Sequence, residues 1–290
     1  ILLDELPWMD TPKSGFVAAL EHFWNSWATS RHDIVLIVCG SATSWMMDKL
    51  INNHGGLHDR LTRNIFLRPF NLHETEKFLK RKGFYLSRYE IAECYMIMGG
   101  TPYYLDMLQP SVSLAQNIDS LFFSRYGGLR REFNNLYAAL FKKSKDYVAV
   151  VRALSTKRMG LTREEIINTT GLSTGGGLSA ILKNLESCDF IRVYSSFDKV
   201  GSPEIYQLVD FYTFFYMRFV EKKNLDSWTS LQGKGEFYAW AGLTFELLAL
   251  IHVKQMKQQL GISGVKTREQ VWRCQDENGK AQVDLIIDRD

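Results

Sequence analysis

The feature that most constrains this chain is its opening run, Ile1-Leu2-Leu3, which is continuously apolar and ends in the acid pair Asp4-Glu5. Apolar residues at successive positions suit a strand buried on both faces of a parallel sheet, whereas a strand with one wet face alternates apolar and polar. A loop punctuated by Pro and Gly follows, and then Phe16, Leu20, Phe23, Trp24 and Trp27 recur at helical spacing, predicting an amphipathic helix from about Phe16 to Ala28. A second apolar run, Asp33 to Cys39, closes in Gly40-Ser41. Strand, helix, strand is the crossover unit of a parallel sheet. Open α/β sheets take their ligands beyond the carboxyl ends of the strands, where Asp4, Glu5 and Ser41 stand.

Composition narrows what the remainder can be. At 290 residues, 46% apolar and 13% aromatic, the chain has material for two or three packed domains and little for disorder. The net charge is +3 and no segment carries the basic surplus that advertises nucleic-acid binding through bulk charge. Cys39, Cys94, Cys188 and Cys274 are far apart and form no Cys-x-x-Cys pair, so neither a zinc site nor a disulfide framework is indicated, and a reducing cytoplasm fits best. The most apolar stretches, Ile34 to Met47 and Phe211 to Val220, are too short or interrupted for a membrane span of about 20 residues. His54 and His58 are four apart, but Gly55-Gly56 between them argues against the helix that a metal pair would need.

Arg60 and Arg63 precede a short expected strand ending in Leu67-Arg68-Pro69-Phe70. Each is either a solvated loop arginine or a guanidinium placed to meet a phosphoryl group, where such a charge is a strong lever on rate. From Asn71 to about Lys143 the pattern is helical, with Asn71 and Glu74 forming a capping box and Met98-Gly99-Gly100-Thr101-Pro102 a helix stop followed by a Pro-started helix. Residues 145–210 read as three helices, Tyr147 to Ser155, Thr162 to Thr169 and Gly177 to Ser187, and two strands, Phe190 to Ser195 and Glu204 to Val209. This is the winged-helix plan. The third helix exposes Ser179, Ala180, Lys183, Asn184 and Glu186, a nearly neutral face that favours a protein contact or spacer over duplex reading. Ser173-Thr174-Gly175-Gly176-Gly177 reads as a flexible turn, with anion binding at the helix start as the alternative. Beyond Phe211 an aromatic helix, a helix from Trp240 to about Leu260 and strands Val271 to Arg273 and Gln282 to Ile287 follow, the strands joined by an expected turn at Asp276 to Gly279. Glu246 on the helix and Asp284 on the strand are placed to converge on one Mg²⁺, as metal-assisted phosphodiester cleavage requires.

The order of these pieces resembles the prokaryotic AAA-type ATPases of the STAND-related group, P-loop proteins that end in a winged helix and a restriction-endonuclease-like domain. The carriers are Leu2-Leu3-Asp4-Glu5, Leu36-Ile37-Val38-Cys39-Gly40-Ser41, Leu67-Arg68-Pro69-Phe70, Gly99-Gly100-Thr101-Pro102-Tyr103-Tyr104-Leu105, Trp240 through Glu246, and Val283-Asp284-Leu285-Ile286. The resemblance implies an α/β plus all-α chain: a partial P-loop core over 1–70, a helical lid over 71–144, a winged helix over 145–210 and a partial α/β nuclease-like domain over 211–290. It implies a nucleotide-driven switch binding ATP and Mg²⁺, with Asp4 on the metal, Glu5 as the hydrolytic carboxylate and Ser41 as sensor, beside which Arg60, or Arg63, is the finger or sensor arginine that the residues themselves offer. It also implies a nuclease-like acid pair at Glu246 and Asp284, and possible DNA or protein partners of the winged helix and C-terminal domain. The alternative is a non-enzymatic regulatory or DNA-binding protein using the winged helix. No Gly-x-x-x-x-Gly-Lys-Ser/Thr loop occurs in the 290 residues and no Glu-x-Lys follows Asp284. The expectation is therefore a fragment that binds nucleotide weakly by itself.

Overall fold

β1 (Leu2–Leu3) and β2 (Ile37–Val38) pair in parallel, Leu2 opposite Ile37 and Leu3 opposite Val38. Between them runs α1 (Phe16–Ser26), entered through Gly15 at φ 62°, a left-handed turn that glycine takes without a Cβ penalty. Leu3, Leu36 and Val38 pack with Phe16, Leu20, Phe23 and Trp24 around buried Leu6, Leu50 and Leu57. The opposite face is open: Leu2 is 65% and Ile37 56% exposed. The expectation of strands buried on both faces is thus corrected, because a single helix layer covers a two-stranded sheet and successive side chains alternate between packed and wet. α2 (Thr43–Met46) follows and continues into a π-helical turn, Met47–Ile51.

This is the computed structural model of the chain, and it describes residues 1–41, 43–51, 55–57, 59–141, 143–194, 203–221, 227–276 and 279–289. The chain forms two units, 1–67 with 137–144 and 68–136 with 145–290. His54 and His58 lie outside the described residues, as do the central positions of the turn expected at Asp276 to Gly279. No helix among the described residues is long and apolar enough to cross a membrane.

The second unit begins with α3 (Leu72–Arg81), capped as expected: the Asn71 side chain accepts from the Glu74 amide and the Glu74 carboxylate accepts from the Asn71 amide. The strand expected before Phe70 is absent. Instead the Phe70 N–H donates to the Gly100 carbonyl at 2.7 Å, and the Tyr95 hydroxyl donates to the Phe70 carbonyl at 2.8 Å. That approach explains the double glycine after α4 (Arg88–Met98). Gly99 sits at φ 67°, ψ −164°, and a Cβ on Gly100 would lie 1.8 Å from the Phe70 oxygen. α5 (Pro102–Asp106), α6 (Leu114–Ile118) and α7 (Gly128–Leu140) complete the helical run.

α8 (Ser144–Ser155), α9 (Arg163–Thr170) and α10 (Gly176–Ser187) stand with an antiparallel three-stranded sheet of order β3-β5-β4. β4 (Ile191–Tyr194) and β5 (Ile205–Leu208) match the two expected strands. β3 (Leu161–Thr162) is an addition, with Leu161 paired to Tyr206 and Thr162 doubling as the cap of α9. α11 (Phe211–Phe215) continues into a π-helical turn, Tyr216–Val220. The expected helix from Trp240 is two helices, α12 (Gly235–Ile251) and α13 (Val253–Gln259). They part at His252, whose Nδ1 meets the Leu248 carbonyl while its backbone N–H donates to Ala249, tightening the last turn. His252 Nε2 then accepts the Leu72 N–H at 2.9 Å, tying α3 to the break. β6 (Thr267–Asp276) and β7 (Gly279–Arg289) form an antiparallel pair with a register shift between Gln270 and Trp272.

The core of the second unit is an aromatic nest. Trp228, fully buried, meets Trp240 edge-on at 5.1 Å between centroids and Phe215 and Phe219 at 5.1 and 5.4 Å. Its indole N–H donates to Glu93, a carboxylate only 4% exposed, at 2.9 Å. Desolvation pushes the Glu93 carboxyl above the usual range, and the Trp228 and Gln232 side chains donating to it offset only part of that. An acid whose folded pKa is raised loses stabilisation as pH climbs from its unfolded value toward its folded one. Glu93→Gln keeps the acceptor for Trp228 and removes this penalty. Its unfolding midpoint relative to the parent should therefore rise between pH 4 and pH 7 in urea titrations, and a constant difference across that range would contradict the assignment.

Candidate functional site at the β1 and β2 termini

The parallel ladder sets the site. The Ile37 N–H donates to Ile1 O at 2.8 Å, Cys39 to Leu3 O at 3.0 Å, and Leu6 donates to Cys39 O at 2.9 Å. This register puts Cys39 beside Asp4 and Ser41 beside Glu5. Glu5 leaves the strand in the left-handed region, φ 47°, ψ 50°, and hands the chain to a 3-10 turn, Leu6–Trp8. For a residue bearing a Cβ that conformation costs roughly 1–2 kcal/mol, and such departures gather at functional sites. Gly40 permits the closure: a Cβ there would lie 2.6 Å from Pro7 Cδ.

The two carboxylates are held differently. Asp4, exposed, accepts from the Cys39 thiol at 2.6 Å and from the Glu5 N–H at 3.1 Å, both through Oδ1. Glu5, half-buried, accepts from the Ser41 N–H at 3.2 Å and the Ser41 hydroxyl at 3.0 Å, both through Oε2. Among the described residues each acid keeps one oxygen without a protein donor, Oδ2 of Asp4 and Oε1 of Glu5. That arrangement suits Mg²⁺ contacted largely through its own water shell, with a second water free to approach Glu5. No group of three or more His, Cys, Asp or Glu residues gathers into a metal cage among the described residues.

Of the residues picked from sequence, Asp4, Glu5 and Ser41 come together. Arg60 lies on an exposed loop, its N–H donating to Leu57 O at 3.2 Å, and no hydrogen bond or ion pair joins it to the other three among the described residues. Cys39 is the member that sequence reasoning did not place at the site, weighing it only as a strand residue and for zinc or disulfide pairing. Its place opposite Asp4 follows from register, which nothing in the sequence of either strand states.

Glu246 and Asp284 also converge, and a third residue meets them. The Arg158 guanidinium pairs with Glu246 Oε2 and lies 3.5 Å from Asp284 Oδ1. Arg158 comes from the turn between α8 and β3, far away in sequence. Behind it the Gln207 amide donates to Arg158 O at 2.7 Å and its oxygen accepts from Arg192 Nε at 2.6 Å. Burial depresses the Arg192 guanidinium, and its Nη2 is buried without a hydrogen-bond partner among the described residues. The cavity bordered by Arg158, Arg192, Glu246 and Asp284 holds about 20 Å³, room for one water molecule and far too small for a nucleotide.

The Asp4 carboxylate, which accepts from the Cys39 thiol, raises that thiol above its usual range, and deprotonation would break the bond and set two anions together. Cys39 should accordingly alkylate more slowly at pH 8 than an ordinary exposed thiol, with its rate midpoint displaced to higher pH. Asp4→Asn should move the midpoint down and speed alkylation at fixed pH. Iodoacetamide kinetics followed by peptide mass would check both, and a profile unchanged by Asp4→Asn would sink the pairing.

Comparisons with known proteins bear on the fold. No protein-family model matches the chain, and neither does any curated protein. Among solved structures, the Walker-type ATPase PABY2304 of Pyrococcus abyssi is similar, with a TM-score of 0.51 at 17% sequence identity. The match covers 75% of this chain and 62% of that one, so the chain spans under two thirds of that protein's length. At this identity the likeness concerns the fold alone, a mixed α/β and helical chain.

Proposed function

We propose that the chain is the Mg²⁺-side portion of an AAA-type, nucleotide-driven switch. The observation that carries this is the Asp4-Glu5-Ser41 cluster at the carboxyl ends of two parallel strands, with Glu5 in a strained conformation and hydrogen-bonded by Ser41. The fold likeness to a Walker-type ATPase supports it. Mg·ATP, when bound, supplies the phosphoryl group and the metal that neutralises its charge. Asp4 would hold the metal's water shell through Oδ2. Glu5 would orient an incoming water and take its proton at Oε1, while Ser41, donating to the other oxygen, keeps the carboxylate turned toward the strand end. Arg60, on its exposed loop, would be the candidate to meet the phosphoryl group. Residues 71–144 form the lid in this reading, 145–210 the winged helix and 211–290 the nuclease-like tail. A difference of a few kcal/mol in nucleotide affinity between two lid positions suffices to throw such a switch.

The test uses the protein expressed from its complete reading frame. Glu5→Gln should lower ATP hydrolysis by about 100-fold or more, the scale of a lost general base, while leaving the nucleotide Kd nearly unchanged. Asp4→Asn should weaken Mg·ATP and leave metal-free ATP binding little altered. Failure of the parent protein to bind ATP would overturn the reading.

For the tail, one observation favours a non-catalytic role. The Arg158 guanidinium already pairs with Glu246 and lies beside Asp284, so the acid pair has a cation from the chain itself. In this second reading the segment is a nuclease-like fold used for contact with a protein or nucleic acid. Supercoiled plasmid incubated with Mg²⁺ or Mn²⁺ should remain uncut, and Arg158→Gln should lower the unfolding temperature by removing the guanidinium that Glu246 pairs with. Cleavage that disappears in Asp284→Asn would refute it.

A further inference from the structure

We infer that Arg125, Tyr126 and Arg131 form a stacking site for single-stranded nucleic acid, separate from the Asp4 and Glu5 cluster. Tyr126 is 73% exposed, a large aromatic ring held in water by a turn built for the purpose. The Ser124 N–H donates to Asp119 O at 3.0 Å, the Ser124 hydroxyl to Ser120 O at 2.7 Å, and the Gly127 N–H to Ser124 O at 3.2 Å. The Arg130 guanidinium donates to Phe123 O at 3.2 Å and so pins the same turn from α7. A Cβ on Gly127 would lie 2.3 Å from Leu121 O, so glycine is required for the chain to close tightly enough to turn the neighbouring ring outward. The ring is displayed by a fixed scaffold.

Two exposed cations sit against that ring. The guanidinium carbons of Arg125 and Arg131 each lie 5.6 Å from the Tyr126 centroid. Among the described residues neither guanidinium has a salt bridge or hydrogen bond, so their donors face solvent. The exposed ring and its two arginines match one base of a single strand together with the two phosphates on either side of it: the base for the ring and, as the guanidiniums now lying over the ring swing out, one phosphate for each cation. A duplex keeps its base faces stacked inside and offers only phosphates. An acidic peptide has charge for the arginines and nothing flat for the ring. The chain's net charge of +3 means affinity must come from stacking and local contacts rather than bulk electrostatics.

Anisotropy of a labelled oligo-dT 12-mer against the full chain provides the test. Tyr126→Ala should weaken binding about tenfold, the scale of one lost stacking contact, and Tyr126→Trp should retain or tighten it. With two phosphates engaged, log K should fall against log salt with a slope of about −1.4. Arg125→Ala with Arg131→Ala should bring that slope near zero. A 12-bp duplex should bind more weakly than the single strand. Unfolding midpoints of the variants, all at exposed positions, should match the parent, which separates lost contact from lost fold. Absence of oligo-dT binding by the parent protein would overturn the proposal, as would wild-type affinity in Tyr126→Ala. Poly-glutamate competing as well as the oligonucleotide would also overturn it and mark the surface as a reader of acidic peptides.

Discussion

Everything proposed for the first unit hangs on the parallel ladder between residues 1–6 and 35–39. Its bonds, Ile37 to Ile1, Cys39 to Leu3 and Leu6 to Cys39, fix which side chains of the two strand ends are neighbours. A shift of one residue would turn Asp4 and Cys39 to opposite faces and separate Glu5 from Ser41. The ladder also decides where glycine is needed, since Gly40 must pass Pro7 at a distance that admits no Cβ. Chemistry at this site is a consequence of register before it is one of residue type.

The second unit uses a different economy. Its aromatic nest carries polar groups inward, and most are met: Trp228 by Glu93, Tyr212 by the Leu129 carbonyl at 2.7 Å, Tyr95 by the Phe70 carbonyl, whereas the Trp240 indole N–H has no partner among the described residues. Buried polar atoms left unpaired are costly, so these partners fix one arrangement among many that would bury equal area. Exceptions are informative. Arg192 Nη2, in the corner with Arg158, Glu246 and Asp284, is buried without a partner among the described residues, and burial depresses that guanidinium.

How far the sequence alone reached follows the range of the interaction involved. Capping at Asn71 and Glu74, the Pro-started helix at Pro102 and the three helices with two strands between residues 145 and 210 depend on neighbours within a few positions, and they stand where local pattern puts them. Asp4, Glu5 and Ser41 were legible as a group because strand, helix, strand in a parallel sheet brings carboxyl ends together. Cys39 against Asp4, β3 against β5 and Arg158 between Glu246 and Asp284 were not, because each pairs residues whose separation leaves no local trace. Exposure of Leu2 and Ile37 escaped for a related reason: an apolar run states that a strand can be covered, and the number of layers available decides whether it is.

That uncovered face has a further meaning for motion. A two-stranded sheet with one wet side has few bonds to break before it opens locally, and local opening draws on such weakly protected elements first. Opening of the ladder would release Cys39 from Asp4 and Ser41 from Glu5 together. Any ligand that prefers the aligned form would stabilise the ladder by mass action. Protection of the Cys39 and Leu6 amides would then report occupancy directly, making the backbone of this short sheet its own sensor.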